Sequence, residues 1–416
     1  MTTTPDVIDA LARISAGQKL DEIRSHRPEA RANAQASYLA LFDAAPTTGM
    51  TIAERWSVAV FVALLHRDAV AAEHYRSAFT AAAPADATAL LTAVVDAAAQ
   101  GAATGPFGHY QASPLQAENT DGVRFSVSAT GRAAVGDQLA AALEHAHLLV
   151  FRPREAGEDR LRALADAGWS TDAIVTLSQL VSFLTFQLRV VHGLRILGSA
   201  DRPDTDSAGL APVTPGAADA GSSTDDEIPD RFTQDELGWS PWLPPLPAGR
   251  LTERHWAGLV DRSRANSPYF MLLARDPDIL GARTRTDKDI FYNTADGLPR
   301  ADRELAAAAT SRFNGCIFCA SVHSRFASHH SRREADVQRL LDDGVTADLG
   351  ERWNAIVAAS VAMARTPVAF GDGQLDALRA AGLDDAEIVD VINGAAFFNW
   401  ANRLMLSLGH PTRPTG

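Results

Sequence analysis

Both cysteines of this 416-residue chain fall in one run, NGCIFCASVH from Asn314 to His323, as Cys316 and Cys319 with His323 four residues further on. A thiolate is a nucleophile toward peroxides, and two thiols at this spacing can close a disulfide across one helical turn. One sulfur can therefore attack an oxidant while the other resolves the sulfenic acid. His323 can exchange a proton near neutral pH, and Glu304, twelve residues before Cys316, is the carboxylate that could orient its ring and relay that proton. Zinc is the rival chemistry. Cys316, Cys319 and His323 would supply three ligands and Glu304, His329 or His330 a fourth, although structural zinc sites usually draw on two separated pairs and the chain has no second pair.

These side chains need particular elements to meet. Asn314-Gly315 is a strong break, so the helix holding Glu304 should end near Asn314 and a new one should begin around Cys316. On that second helix Cys316, Cys319 and His323 occupy i, i+3 and i+7, an arc of roughly 60°. On one unbroken helix Glu304 would point about 120° away, so the two helices must fold back on each other. The positive end of the second helix favours the thiolate at Cys316.

The rest of the chain reads as all-α. Long Ala/Leu/Val-rich segments repeat near 3.6 residues, and alternating β-branched runs are scarce. The segments also repeat one another. Leu161, Leu164, Gly168 and Ile174 in LRALADAGWSTDAIV match Leu375, Leu378, Gly382 and Ile388 in LDALRAAGLDDAEIV at an offset of 214, and Pro153, Phe183 and Arg189 fall on Pro367, Phe397 and Arg403. Two copies of one helical domain are expected, residues 1–198 and 235–416, joined by a flexible linker over 199–234 rich in Pro, Gly, Ser and Asp. At an offset near 250 Glu54 falls on Glu304, but the cysteine positions land near His66 and Ala69. The first copy is thus a degenerate one without thiols, and Glu54 there is expected to have a structural or solvated role. Its extra length, Gly105 to Gly131, reads as a loop or a short hairpin, and a chain this long should hold two cores.

A net charge of −13 and only two lysines, Lys19 and Lys288, argue against nucleic acid as a partner. No apolar run is expected to reach the roughly 18 residues that span a bilayer, so no membrane is expected. The N-terminus lacks the basic and apolar regions of a signal peptide, which places the chain in a reducing cytoplasm where a permanent disulfide is improbable.

The pattern Glu304-x11-Cys316-x2-Cys319-x3-His323 resembles the active-site signature of the alkylhydroperoxidase D family, within the carboxymuconolactone decarboxylase-like superfamily. The resemblance covers residues 235–416; LPRADRELAAAATSRFNGCIFCASVH carries it, and FNWANRLMLSLG looks like the Asn-Arg helix that closes such domains. It implies an all-helical fold, peroxide reduction without haem or flavin, and a homo-oligomer, here a trimer or dimer of fused chains; no cofactor and no bound metal are expected. It makes Cys319 the peroxide-reactive thiol, Cys316 its disulfide partner, and Glu304 with His323 the proton relay, with a dithiol or a lipoyl-carrying protein as reductant. The dipole argument favours Cys316 instead, so the two readings differ over which thiol attacks. Some members place a histidine just before the second cysteine, where this chain has Phe318. A redox sensor and a lyase that uses Glu and His without thiols are the alternative functions.

Overall fold

The computed structural model describes residues 5–43, 48–82, 87–199 and 228–413. Twelve helices carry the argument. In the first half they are α1 (Pro28–Phe42), α2 (Ile52–Leu65), α3 (Ala69–Ala82), α4 (Asp137–Phe151), α5 (Glu158–Asp166) and α6 (Thr171–Ser199). In the second half they are α7 (Pro277–Tyr292), α8 (Arg300–Asn314), α9 (Ile317–Ser331), α10 (Glu351–Ala364), α11 (Asp372–Ala380) and α12 (Asp385–Leu408). Among the described residues the architecture is all-α apart from one antiparallel pair, β1 (Gly238–Pro241) with β2 (Gly409–Thr412), in which Trp239 faces Pro411 and Ser240 faces His410.

The element starts recur at fixed spacing. Helices α4, α5 and α6 begin at 137, 158 and 171, and α10, α11 and α12 begin at 351, 372 and 385, each pair 214 residues apart. The glycines that bound them recur too. Gly136 and Gly350 precede α4 and α10 at φ +82° and +86°, and Gly168 and Gly382 end the turns before α6 and α12 at φ +102° and +82°. These left-handed positions favour glycine because a Cβ would clash with the backbone.

Equivalent helices pack on one another, so the expected pair of separate cores gives way to one. A single apolar cluster runs through both halves, from Val7 and Phe61 to Trp400 and Leu408. Helices α6 and α12 meet reciprocally: Phe183 lies 5.3 Å edge-on from Trp400, and Phe397 lies 6.2 Å edge-on from Phe186. Arg189 donates to Thr185 O and Ala364 O while Arg403 donates to Asn399 O and Val150 O, each partner again 214 residues from its counterpart. A core assembled across such a pseudo-twofold has no plane at which the halves come apart.

Three expectations are corrected. Helix α6 contains an 18-residue window of mean hydropathy 1.5, long and apolar enough to cross a bilayer by length and composition, and that window is wholly buried inside the protein. Its Ser, Thr and Gln residues interrupt the apolar run without lowering the average enough to matter. The last residues of the expected linker, 228–234, are packed against the fold. Residues 200–227 lie outside the described residues, but within 228–234 Phe232 is 2% exposed and packs with Tyr110, Leu115 and Ile317. Gln234 Nε2 donates to Gln338 Oε1 at 3.0 Å. One aromatic side chain with a pocket to fill outweighs the polar composition around it. The segment 105–131 is neither a hairpin nor plain loop: it holds a 3-10 turn over Ser113–Glu118 and a lone bridge between Gly108 and Thr120.

Candidate active site

Helix α8 stops at Asn314 because Gly315 takes φ +85°, a left-handed cap whose N–H donates to Ser311 O. Cys316 N also donates to Ser311 O, at 2.9 Å, and Cys316 becomes the N-cap of α9. The break is held from behind by α12. Asn314 Nδ2 donates to Asn402 Oδ1 at 3.0 Å and to Asn399 Oδ1 at 3.2 Å, and Asn402 Nδ2 donates to Ser311 Oγ at 3.0 Å. Arg403 Nη1 donates to Asn399 Oδ1 at 2.8 Å. This buried polar network fixes the angle at which α9 leaves α8.

The fold-back brings Glu304 to His323. His323 Nδ1 donates to Glu304 Oε2 at 2.6 Å, and Arg300 Nε donates to Glu304 Oε1 at 3.1 Å. Glu304 is 1% exposed. A carboxylate on Nδ1 leaves Nε2 as the nitrogen that can take a proton, and Cys319 lies one turn before His323 on the same helix face. The ring is clamped edge-on by Phe398 at 4.1 Å between centroids, with Phe291 at 5.5 Å. The Arg300 guanidinium stacks 4.3 Å over Tyr292. Sequence reasoning missed Arg300, although its place four residues before Glu304 on one helix is the available signal. It also missed Asp287 on α7, whose carboxyl is pushed up by burial and pulled back first by Arg283 and then by His323.

The thiols correct the dipole expectation. Cys316 and Cys319 are both free and buried, 1% and 5% exposed. Burial pushes the Cys316 thiol well above its ordinary value, the neighbouring Cys319 side chain pushes it further, and the Cys319 N–H and Asn402 pull it back. Desolvation of a charge at 1% exposure outweighs the favourable end of a helix. Burial thus favours the protonated form of Cys316.

Glu304, Cys316, Cys319 and His323 therefore lie on one helical hairpin, with the carboxylate bonded to the imidazole. Residues 277–362 match the carboxymuconolactone decarboxylase family. The carboxymuconolactone decarboxylase-like segment covers α7, α8 and α9 and most of α10, and it contains all four residues. No curated protein is matched by the chain. His329 and His330 stand at the exposed end of α9, and no group of three or more His, Cys, Asp and Glu side chains among the described residues is placed to hold a metal. In the first half Glu54 accepts from Thr51 N at 2.7 Å in a capping box, a structural use of the position that aligns with Glu304.

Proposed function

We propose that the protein is a thiol-dependent peroxidase that reduces organic hydroperoxides through a Cys316–Cys319 disulfide cycle, with Glu304 and His323 managing protons. The Glu304–His323 hydrogen bond, on the hairpin that carries both thiols, is the observation that supports it most. Cys319, as thiolate, attacks the O–O bond of a hydroperoxide; the alcohol leaves with a proton supplied through His323, and Cys319 becomes a sulfenic acid. Cys316, still protonated, condenses with it, water leaves, and the disulfide forms. A dithiol then reduces the disulfide and is itself oxidised. A reducing compartment and a homo-oligomer of two-copy chains belong to the same reading.

The test is consumption of cumene hydroperoxide with dihydrolipoamide as reductant. Wild type should turn over with loss of two titratable thiols after oxidation, and Cys319→Ala should lower turnover by about a hundredfold or more. The family match favours one other reading, a lyase that uses Glu304 and His323 alone. Activity that survives replacement of both cysteines by alanine would select it, and a single oxidation without turnover would select a redox sensor.

A further inference from the structure

A concavity of about 570 Å3 opens beside the turn that starts α9, and Cys316 is the cysteine among its lining residues. Its walls have two origins. Trp239, Trp242 and Met405 come from the second half, whereas Tyr110 and Arg154 come from the first. Tyr110 is 7% exposed, and its hydroxyl has no hydrogen-bond partner among the described residues. The Arg154 guanidinium lies 4.6 Å from the centroid of its ring, and Phe232 meets that ring edge-on at 6.3 Å. A Cβ built on Gly315 would come within 3.2 Å of Tyr110 Cε1, so the ring rests against the turn that presents Cys316. A buried phenol without a partner is a donor in want of an acceptor.

Two chemical requirements converge on this place. Once Cys316 and Cys319 are joined, an incoming thiolate attacks the sulfur that it can reach, and the other sulfur leaves. The concavity reaches Cys316. Burial favours the protonated form of the Cys316 thiol, and attack at Cys316 expels Cys319. The mixed disulfide that results must then expel Cys316 itself, and a sulfur that holds its proton so strongly leaves readily only with a donor beside it.

We infer that the concavity in front of Cys316 admits the reducing dithiol, and that Tyr110, from the first half of the chain, hydrogen-bonds the Cys316 sulfur as it is released. The inference rests on the peroxidase reading and adds the route of the second substrate. The first thiolate of the dithiol bonds to Cys316 Sγ, the Cys316–Cys319 bond breaks, and Cys319 leaves as thiolate. The second thiol of the reductant then bonds to its own first sulfur, the bond to Cys316 breaks, and Cys316 takes up a proton. The reductant departs as a cyclic disulfide. The occupant is a small dithiol on an apolar stem, matched to the two indoles and Met405 in a cavity of ligand size; a cysteine on the flat face of another protein would not reach a sulfur that is 1% exposed. The thiol-free half thereby completes the site of the half that carries the thiols.

The experiment separates the two half-reactions. Protein oxidised with one equivalent of cumene hydroperoxide, or independently with diamide, is mixed with dihydrolipoamide and followed by tryptophan fluorescence. Tyr110→Phe should slow reduction of the disulfide about tenfold, and Ala112→Phe, at another residue that lines the concavity, should fill it and slow reduction at least as much. Both should leave thiol loss to cumene hydroperoxide within about twofold of wild type, the scale below which no hydrogen bond is at stake. Acid quenching followed by alkylation and mass spectrometry should place the dihydrolipoamide adduct on Cys316. An adduct on Cys319, or variants that slow the peroxide step and not the dithiol step, would overturn the inference. Thiols that ignore cumene hydroperoxide would overturn the peroxidase reading instead, and the diamide-oxidised protein would still report on the dithiol route.

Discussion

His323 is the residue on which the proposed chemistry turns, because its Nδ1 is committed to Glu304 at 2.6 Å and its ring is wedged against Phe398. Glu304→Gln keeps an acceptor for Nδ1–H but removes the charge that stabilises an imidazolium. The expected result is a fall in kcat of about 10- to 100-fold with two thiols still titratable, read by steady-state kinetics and thiol titration on one preparation. The meeting of Glu304 with His323 beside the two cysteines was legible in sequence because residue types and spacing are local information. The protonation of Cys316 was not, since it depends on what covers the sulfur: Asn402 lies 86 positions away and Tyr110 more than 200.

Among elements, the α8–α9 hairpin is the one whose geometry the sequence announced. Asn314-Gly315 forecast both the stop and the restart, and α8 ends at Asn314 with α9 beginning at Ile317. Gly315 is required twice, by its φ of +85° and by the 3.2 Å approach of Tyr110 and Arg154 to any Cβ placed there. Gly315→Ala should therefore destabilise the fold by about 1–2 kcal/mol, seen as a lower urea midpoint, and should reduce turnover because Cys316 moves with the turn. Gly371→Ala is the control. That glycine has φ −146° and open space around it, so its midpoint should shift by less than about 0.5 kcal/mol equivalent. The β1–β2 pair escaped sequence reading because two four-residue strands with a proline in each, Pro241 and Pro411, carry no strand pattern.

At the scale of the whole molecule, the reciprocal arginines join the halves. Arg189 is fully buried and donates to the carbonyls of Met363, Thr185 and Ala364. Arg189→Leu leaves those acceptors unpaired, so a loss of about 3 kcal/mol or more is expected, with the two halves still melting in one calorimetric transition. Acid should act globally as well. Burial lowers His145 and His147 to about 4 and holds His66 well below its ordinary value. Their unfolded forms take up protons below about 6.5 while the folded forms do not. Stability is therefore fully present above that pH and falls as pH drops toward 4, by about 1.4 kcal/mol per pH unit for each histidine. Thermal melts across that range check it, and His145→Leu should flatten the slope by up to about 1.4 kcal/mol per pH unit, the share of one such group.

The sequence by itself determined what is local or periodic: the thiol pair and its histidine, the break before them, the helical class, and the 214-residue ladder from Pro153 to Arg403. Those features are written in neighbouring residues or in repeated spacing, and they persist however the helices are arranged. Tertiary structure alone decided that α6 packs on α12 to make one core, that Phe232 anchors the end of the linker, and that Tyr110 and Arg154 close the space in front of Cys316. Burial is a property of partners brought together across long stretches of chain. It reversed the acidity that a helix terminus would have conferred on Cys316, because desolvating a charge in the interior outweighs a dipole effect of about 1 kcal/mol.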